Sequence, residues 1–448
     1  MTVFKVLAFL ALLSAPFAME ANAKSLDEVV RLALSTNPRI AALARNREGI
    51  SQELRQARGS YLPQIDLTAG VGKQLTDTLT TRGQGVSGSY YNRQETQLQI
   101  IQRLFDGSET DSAVERQRDR VISAANRVAE DAEFLGLDVT NVYLEVLRQR
   151  SLKTLAEKNV ERHRKIIASL REREGQGGGN VGDVTQAEGR LARARASVLQ
   201  AINDLQDAEA VYRRLTGEMP DAIEEPKTLL DRLPHSLDEA IEITRGNNPS
   251  VRVFESDIRV AQRELEGADA AYYPKVNLEA TASRNESFDG ASGPERSYQA
   301  MVRMRWNLYR GGSDAAAKGS VYSRLATAQA QRDNALIDAV EKMKKAWNGM
   351  EINRQKVDLY KQAIRHNNAT LSTYKQQFEL LIRTLLDVLD AENELFNSES
   401  QLVSSKIAAA SSAYRVLALS GRLLPTLGAT LPDQAATRLP TFREHVAP

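Results

Sequence analysis

Three sets of residues in this chain have types and spacings that chemistry can use. Gly177-Gly-Gly-Asn-Val-Gly182 fits G-x-G-x-x-G, the pattern whose glycines let a backbone approach a pyrophosphate at a helix N-terminus. That chemistry needs a strand before the loop and a βαβ unit around it. Here a helical stretch precedes it, so the run reads as the tip of a helical hairpin. The four histidines, His163, His235, His366 and His445, have no second ligand at metal spacing and read as surface residues. Cysteine is absent, which removes disulfides, thiolate metal sites, a cysteine nucleophile and an N-terminal lipidated cysteine. With no nucleophile–base pair and no ligand cluster, the sequence supports neither an enzyme nor a metal or cofactor site.

Asp387 and Asp390 are the third set. Spacing i, i+3 puts both carboxylates on one helix face near a hairpin tip. Two readings stand side by side. Acidic residues near a helix N-terminus complement the dipole. If copies of the chain assemble around an axis, the same pair becomes two stacked rings of negative charge, a device for a cation-selective constriction.

The elements that position this pair come in two copies. Asp183-Val-Thr-Gln-Ala-Glu-Gly-Arg-Leu191 aligns with Asp387-Val-Leu-Asp-Ala-Glu-Asn-Glu-Leu395 at a separation of 204 residues, and Leu104-Phe-Asp-Gly107 aligns with Leu308-Tyr-Arg-Gly311 at the same separation. Further upstream, Ser25-Leu-Asp-Glu28 with Asn37-Pro38 matches Ser236-Leu-Asp-Glu239 with Asn248-Pro249, 211 residues apart. The period is too long for a solenoid, so two large copies of one unit are expected: residues 24–216 and 236–420, joined by a proline-rich linker at 217–235 and followed by an irregular tail at 421–448. Residues 1–23, with Lys5, the apolar run Val6 to Leu13 and Ala21-Asn22-Ala23, read as an export signal peptide to a bacterial envelope.

Within each copy the period of the pattern changes. After Pro63, Ile65, Leu67, Ala69 and Val71 alternate with polar or small residues; after Pro274, Val276, Leu278, Ala280 and Ala282 do the same. Both predict strands with one apolar face, and a second alternating stretch follows in each copy at 97–104 and 301–308. A soluble sandwich and an outer-membrane barrel both fit four such strands. Beyond Gly107 and Gly311-Gly312 come very long helical stretches with apolar residues every seven positions, such as Val114, Val121, Val128 and Leu135. A strict seven-residue period predicts coiled-coil packing on other long helices. Basic and acidic residues nearly balance, 59 against 58, which leaves no basic excess for nucleic acid.

Taken together, the duplicated Ser-Leu-Asp-Glu with Asn-Pro, Tyr61-Leu-Pro63 with Tyr272-Tyr-Pro274, the Leu104 and Leu308 blocks, and Arg383-Thr-Leu-Leu-Asp-Val-Leu-Asp-Ala-Glu-Asn393 resemble the TolC family of outer-membrane channels that serve type I secretion and multidrug efflux. The resemblance covers nearly all of the chain after the signal. It implies an α+β membrane protein: a homotrimer whose protomers each give four strands to one twelve-stranded outer-membrane β-barrel, continued by a long α-helical coiled-coil tunnel across the periplasm. A periplasmic adaptor (membrane fusion protein) and an inner-membrane transporter are the implied partners. By the same resemblance, Arg383 and Asp183 match tip residues that hold the tunnel closed, and Asp387 and Asp390 match its constricting rings. Two tip positions depart from the family pattern: Phe378 stands where tyrosine is usual, which removes a phenol bond, and Leu381 where glycine is usual, where a left-handed turn would cost roughly 1–2 kcal/mol, so a differently shaped second tip is expected. The Ser412-Ala-Tyr-Arg-Val-Leu-Ala-Leu-Ser-Gly-Arg-Leu423 block resembles members paired with ABC exporters of large adhesins. The expected function is therefore the exit duct of type I secretion, with a multidrug-efflux duct as the alternative and a pore-less periplasmic coiled-coil scaffold as the remote one.

Overall fold

A computed structural model describes residues 24–85, 87–88, 90–176, 180–226, 230–287 and 293–437. The export signal, Gly177 to Gly179 of the glycine-rich run, His445 and the end of the tail lie outside the described residues. The element order is α1 (Leu26–Thr36), α2 (Pro38–Gly59), β1 (Gln64–Leu75), α3 (Leu79–Gly83), β2 (Tyr90–Phe105), α4 (Glu109–Gly175), α5 (Val181–Thr216), then α6 (Leu237–Asn247), α7 (Pro249–Ala268), β3 (Lys275–Glu286), β4 (Pro294–Arg305), α8 (Ser313–Glu379), α9 (Leu385–Leu419) and α10 (Leu423–Thr426).

The repeated motifs turn out to be helix punctuation. In each Ser-Leu-Asp-Glu the glutamate folds back on the start of its helix, Glu28 accepting from the Ser25 N–H at 3.0 Å and Glu239 from the His235 N–H at 2.7 Å. Each Asn-Pro then ends one short helix and opens the next. Asn37 accepts from the Arg39 N–H and donates to the Leu215 carbonyl, and Asn248 accepts from Ser250 and Val251 and donates to the Leu419 carbonyl. One amide thus caps a helix N-terminus and satisfies an orphan carbonyl at the end of the long returning helix.

The four strands form one antiparallel meander in the order β1-β2-β3-β4. Register aligns the apolar positions across it: Leu67 faces Leu98, Ile65 faces Ile100, Ala280 faces Ala300 and Leu278 faces Val302. Ile65, Leu67, Val71, Val302 and Met304 on these strands are exposed. A soluble sandwich would need a core over that face, and the described residues supply none. Strands β1 and β4 each keep one unpaired edge, which lipid does not tolerate.

At the sheet's helical end the backbone turns twice through the left-handed region, at Gly107 and Ser108 in one copy and Gly311 and Gly312 in the other. Gly107 is required there, because a Cβ would lie 2.6 Å from the Tyr273 Cβ. Helices α4 and α8 start from these turns and are both 67 residues long, about 100 Å at 1.5 Å per residue. Each returns through a tip as α5 or α9, making two hairpins in matching register.

The main core lies at mid-height, where α1, α6 and the ends of α5 and α9 pack on the middles of α4 and α8 through Val30, Tyr143, Met343, Met350 and Leu417. The expected irregular tail needs correction at its beginning. Gly421 turns the chain at positive φ, Leu423 and Leu424 of α10 are fully buried, and the Glu133 carboxylate of α4 accepts the N–H groups of both. Glycine and proline there mark a break in the helix; the leucines between them still carry enough apolar surface to be drawn into the core.

Candidate functional site

The tips hold Asp183, Phe378, Leu381, Arg383, Asp387 and Asp390, whereas His163, His235 and His366 lie away from them. Helix α8 ends at Glu379 in a Schellman turn: Leu381 N–H donates to the Phe378 carbonyl at 3.1 Å and Ile382 N–H to the Gln377 carbonyl at 2.9 Å. Closing it puts Leu381 at φ 61°, a conformation that costs a non-glycine residue about 1–2 kcal/mol. The left-handed turn is therefore kept in spite of the leucine, whose side chain is 79% exposed and gains little in return.

Helix α9 then begins at Thr384. Its hydroxyl accepts from the Asp387 N–H and donates to the Asp387 carboxylate at 2.8 Å, while the Thr384 N–H donates to the same carboxylate at 3.3 Å. These bonds hold the Asp387 carboxyl below the usual carboxylate range, with Arg383 at 3.7 Å adding to the effect. Helix α5 begins equivalently, Asn180 accepting from the Gly182 N–H at 2.9 Å. Asp183 and Asp387 thus hold the same third position in their helices, one at each tip.

Asp390 is exposed yet paired: Arg190 of α5 meets it at 3.0 Å across the hairpins. Arg383 donates from Nε to the Gln377 side chain at 3.0 Å and stacks 4.2 Å over the Tyr374 ring. Within one chain no ion pair joins Arg383 to Asp183 among the described residues. Phe378 lacks the phenol, and Arg173 of α4 takes hold of it in another way, its guanidinium 4.8 Å from the ring centroid and its Nη1 donating to the Phe378 carbonyl at 3.3 Å. Beneath these contacts Ile167 and Leu170 of α4, Ala187 of α5, and Leu385 and Leu389 of α9 form one small apolar core shared by both hairpins.

Reasoning from sequence missed Arg173, Arg190 and Glu392, which join the two hairpins. Glu392 carried a legible signal: with Leu385 and Glu399 it falls on a stripe of seven-residue period. The arginines did not, because their partners lie some 200 positions away. His163 was also misjudged. It is 6% exposed on α4, and burial pushes its imidazole below the ordinary range. His235 and His366 are exposed. No group of acidic or histidine residues among the described residues is arranged to hold a metal ion. No described helix is long and apolar enough to cross a membrane.

Comparison with known proteins agrees with this architecture. The family model described as "Outer membrane efflux protein" matches residues 29–218 and 240–422. The outer membrane efflux protein BepC of Brucella suis is 25% identical over 340 residues, covering 76% of this chain and 72% of that protein. The alkaline protease secretion protein AprF of Pseudomonas aeruginosa is 22% identical over 397 residues, covering 85% and 80%. Among solved structures, the outer membrane protein VceC of Vibrio cholerae superposes with a TM-score of 0.75 at 20% identity, over 91% of this chain and 97% of that one.

Proposed function

The chain belongs to the outer membrane efflux protein family, outer-membrane channels of tripartite efflux or secretion systems, and we propose that it is the exit duct for type I secretion of a large, adhesin-like protein. An inner-membrane ABC exporter and a periplasmic adaptor are its partners in this reading. The fold supplies the duct: three protomers of four strands close a twelve-stranded barrel in the outer membrane, and their helices of about 100 Å continue it through the periplasm. The observation that carries the duct is a sheet with two unpaired edges and an uncovered apolar face, continuous with helices far longer than any soluble core covers.

Secretion rather than drug efflux is supported by the Ser412–Leu423 block and by likeness to a relative named for protease secretion. Deleting the gene tests it. Loss of one large protein from the cell surface with unchanged drug susceptibility is the expected result; the reverse pattern makes the chain a drug-efflux duct.

At the tip, the proposed constriction is the pair Asp387 and Asp390 repeated around the trimer axis. Arg383 of one protomer meeting Asp183 of a neighbour is the proposed lock. Six carboxylates in a narrow ring attract multivalent cations, which bridge several at once. Trivalent cation added from the periplasmic side is expected to block current through the wild type and not through Asp387→Ala/Asp390→Ala. Equal sensitivity of the two channels would move the constriction elsewhere.

A further inference from the structure

The second hairpin holds a charge that neither ring nor lock uses. Glu392 lies on α9 two residues beyond Asp390, and its side chain is 0% exposed. A carboxylate out of water needs cations and hydrogen bonds at close range. Two cations reach it, and they come from different helices: Lys375 Nζ of α8 at 2.6 Å and Arg162 Nε of α4 at 3.6 Å. Arg162 also donates from Nη2 to Glu399 at 2.8 Å, one heptad further along α9. The buried His163 ring follows Arg162 on α4, and Arg190 of α5 pairs with Asp390, two residues before Glu392.

The two cations are not equivalent mechanically. Lys375 and Glu392 belong to one hairpin, so their bond survives any rigid movement of that hairpin against its neighbour. Arg162 belongs to the other hairpin and reaches two carboxylates of α9, hydrogen-bonded to Glu399 and ion-paired without a hydrogen bond to Glu392. Any splaying of α9 from α4 must pull Arg162 from both, exposing a buried charge before water can replace it. Glu392 stands eight residues into α9, about 12 Å from its start at 1.5 Å per residue. The grip therefore lies behind the tip and acts on the turns that carry Asp387 and Asp390.

We propose that Arg162 is a positioning residue for channel opening: by spanning Glu392 and Glu399 it ties the second hairpin to the first, and the tip parts only when this tie is released. The proposal rests on the reading that the tip constricts the tunnel.

The test uses purified trimers in planar bilayers, with thermal melting of each variant alongside. Arg162→Gln is expected to raise single-channel conductance severalfold. Glu392→Gln/Glu399→Gln should reproduce the rise, combining it with Arg162→Gln should add nothing, and Arg162→Lys should restore the low level. Lys375→Gln should lower the melting temperature yet conduct as wild type, because it breaks no bond between hairpins. Wild-type conductance in an Arg162→Gln trimer that melts lower would make the cluster merely structural and overturn the proposal. An equal rise in Lys375→Gln would overturn it too, by showing a general loosening. Should Arg162→Gln not assemble, Glu399→Gln removes one arm alone and is read the same way. Trivalent-cation block of the wild type, run in parallel, reports on the constriction separately: its absence would sink the ring while leaving the Arg162 comparison legible.

Discussion

Arg171 and Glu188 of the first hairpin stand at the same positions as Lys375 and Glu392 of the second, 204 residues earlier, and each pair bridges a long helix to its returning partner at 2.6 Å. The first pair is 63% and 47% exposed, a setting where ion pairs contribute about 0–1 kcal/mol. In the second pair Glu392 is fully buried, because α9 lies with that stripe against α4 and Arg162. Duplication therefore preserved the rung and packing changed its meaning. Near mid-height the contrast runs the other way: α4 carries the buried Glu133 where α8, 204 residues on, carries the exposed Ile337.

The sharpest test of this contrast is to remove the cation from both rungs. Lys375→Met removes the closer of the two cations of the buried Glu392, leaving Arg162 at 3.6 Å, and is expected to cost roughly 1.5–3 kcal/mol, whereas Arg171→Met should cost under about 1 kcal/mol. Thermal unfolding followed by circular dichroism measures both, and similar losses would erase the distinction.

Glu133 gives an effect of comparable size. Burial pushes its carboxyl up to about 7, against hydrogen bonds from Leu423 and Leu424 that pull it down. A raised carboxyl contributes stability that is full below its unfolded pKa and is lost as pH rises through about 7. Across that window the loss amounts to at most about 3.5 kcal/mol, at about 1.4 kcal/mol per pKa unit. Glu133→Gln should flatten the fall in melting temperature between pH 4.5 and 8, roughly the span of the carboxyl's two pKa values; an unchanged slope would show that the carboxylate is better solvated than its burial suggests.

Smaller effects belong to the tips. Thr384→Ala removes a reciprocal cap and Asn180→Ala a single bond; each should cost about 1 kcal/mol, with the larger loss at Thr384. Amide hydrogen exchange in the first turns of α9 and α5 reads them separately, and equal loss would mean that the Asp387 carboxylate adds nothing to its cap. Leu381→Gly should stabilise the second tip by about 1 kcal/mol by relieving the left-handed leucine. A lower melting temperature for this variant would show that the exposed leucine is held by contacts in the assembled trimer.

Much of the architecture was legible in the chain itself. Residue types with a local physical role declared themselves: Asn-Pro ended helices, alternation marked strands, Gly107 and the Gly311-Gly312 pair marked the turns into α4 and α8, and the seven-residue period marked helices that pack on helices. These signals act within a few residues, where backbone sterics and side-chain spacing decide the outcome. The duplication then placed Asp387 at a tip and gave both hairpins one register.

What the sequence left open was set by distance along the chain. The uncovered apolar face, which separates a barrel sheet from a soluble sandwich, appears only once all four strands are paired with no described residue packed above them. The burial of Glu392 and His163, the hold of Arg173 on Phe378, and the pairing of Asp390 with Arg190 each depend on α9 meeting α4 and α5. Those contacts join residues some 200 positions apart or more. A charge read alone has no dielectric: Glu188 and Glu392 are the same letter at the same place in two copies, and only the helix lying across the second one takes it out of water.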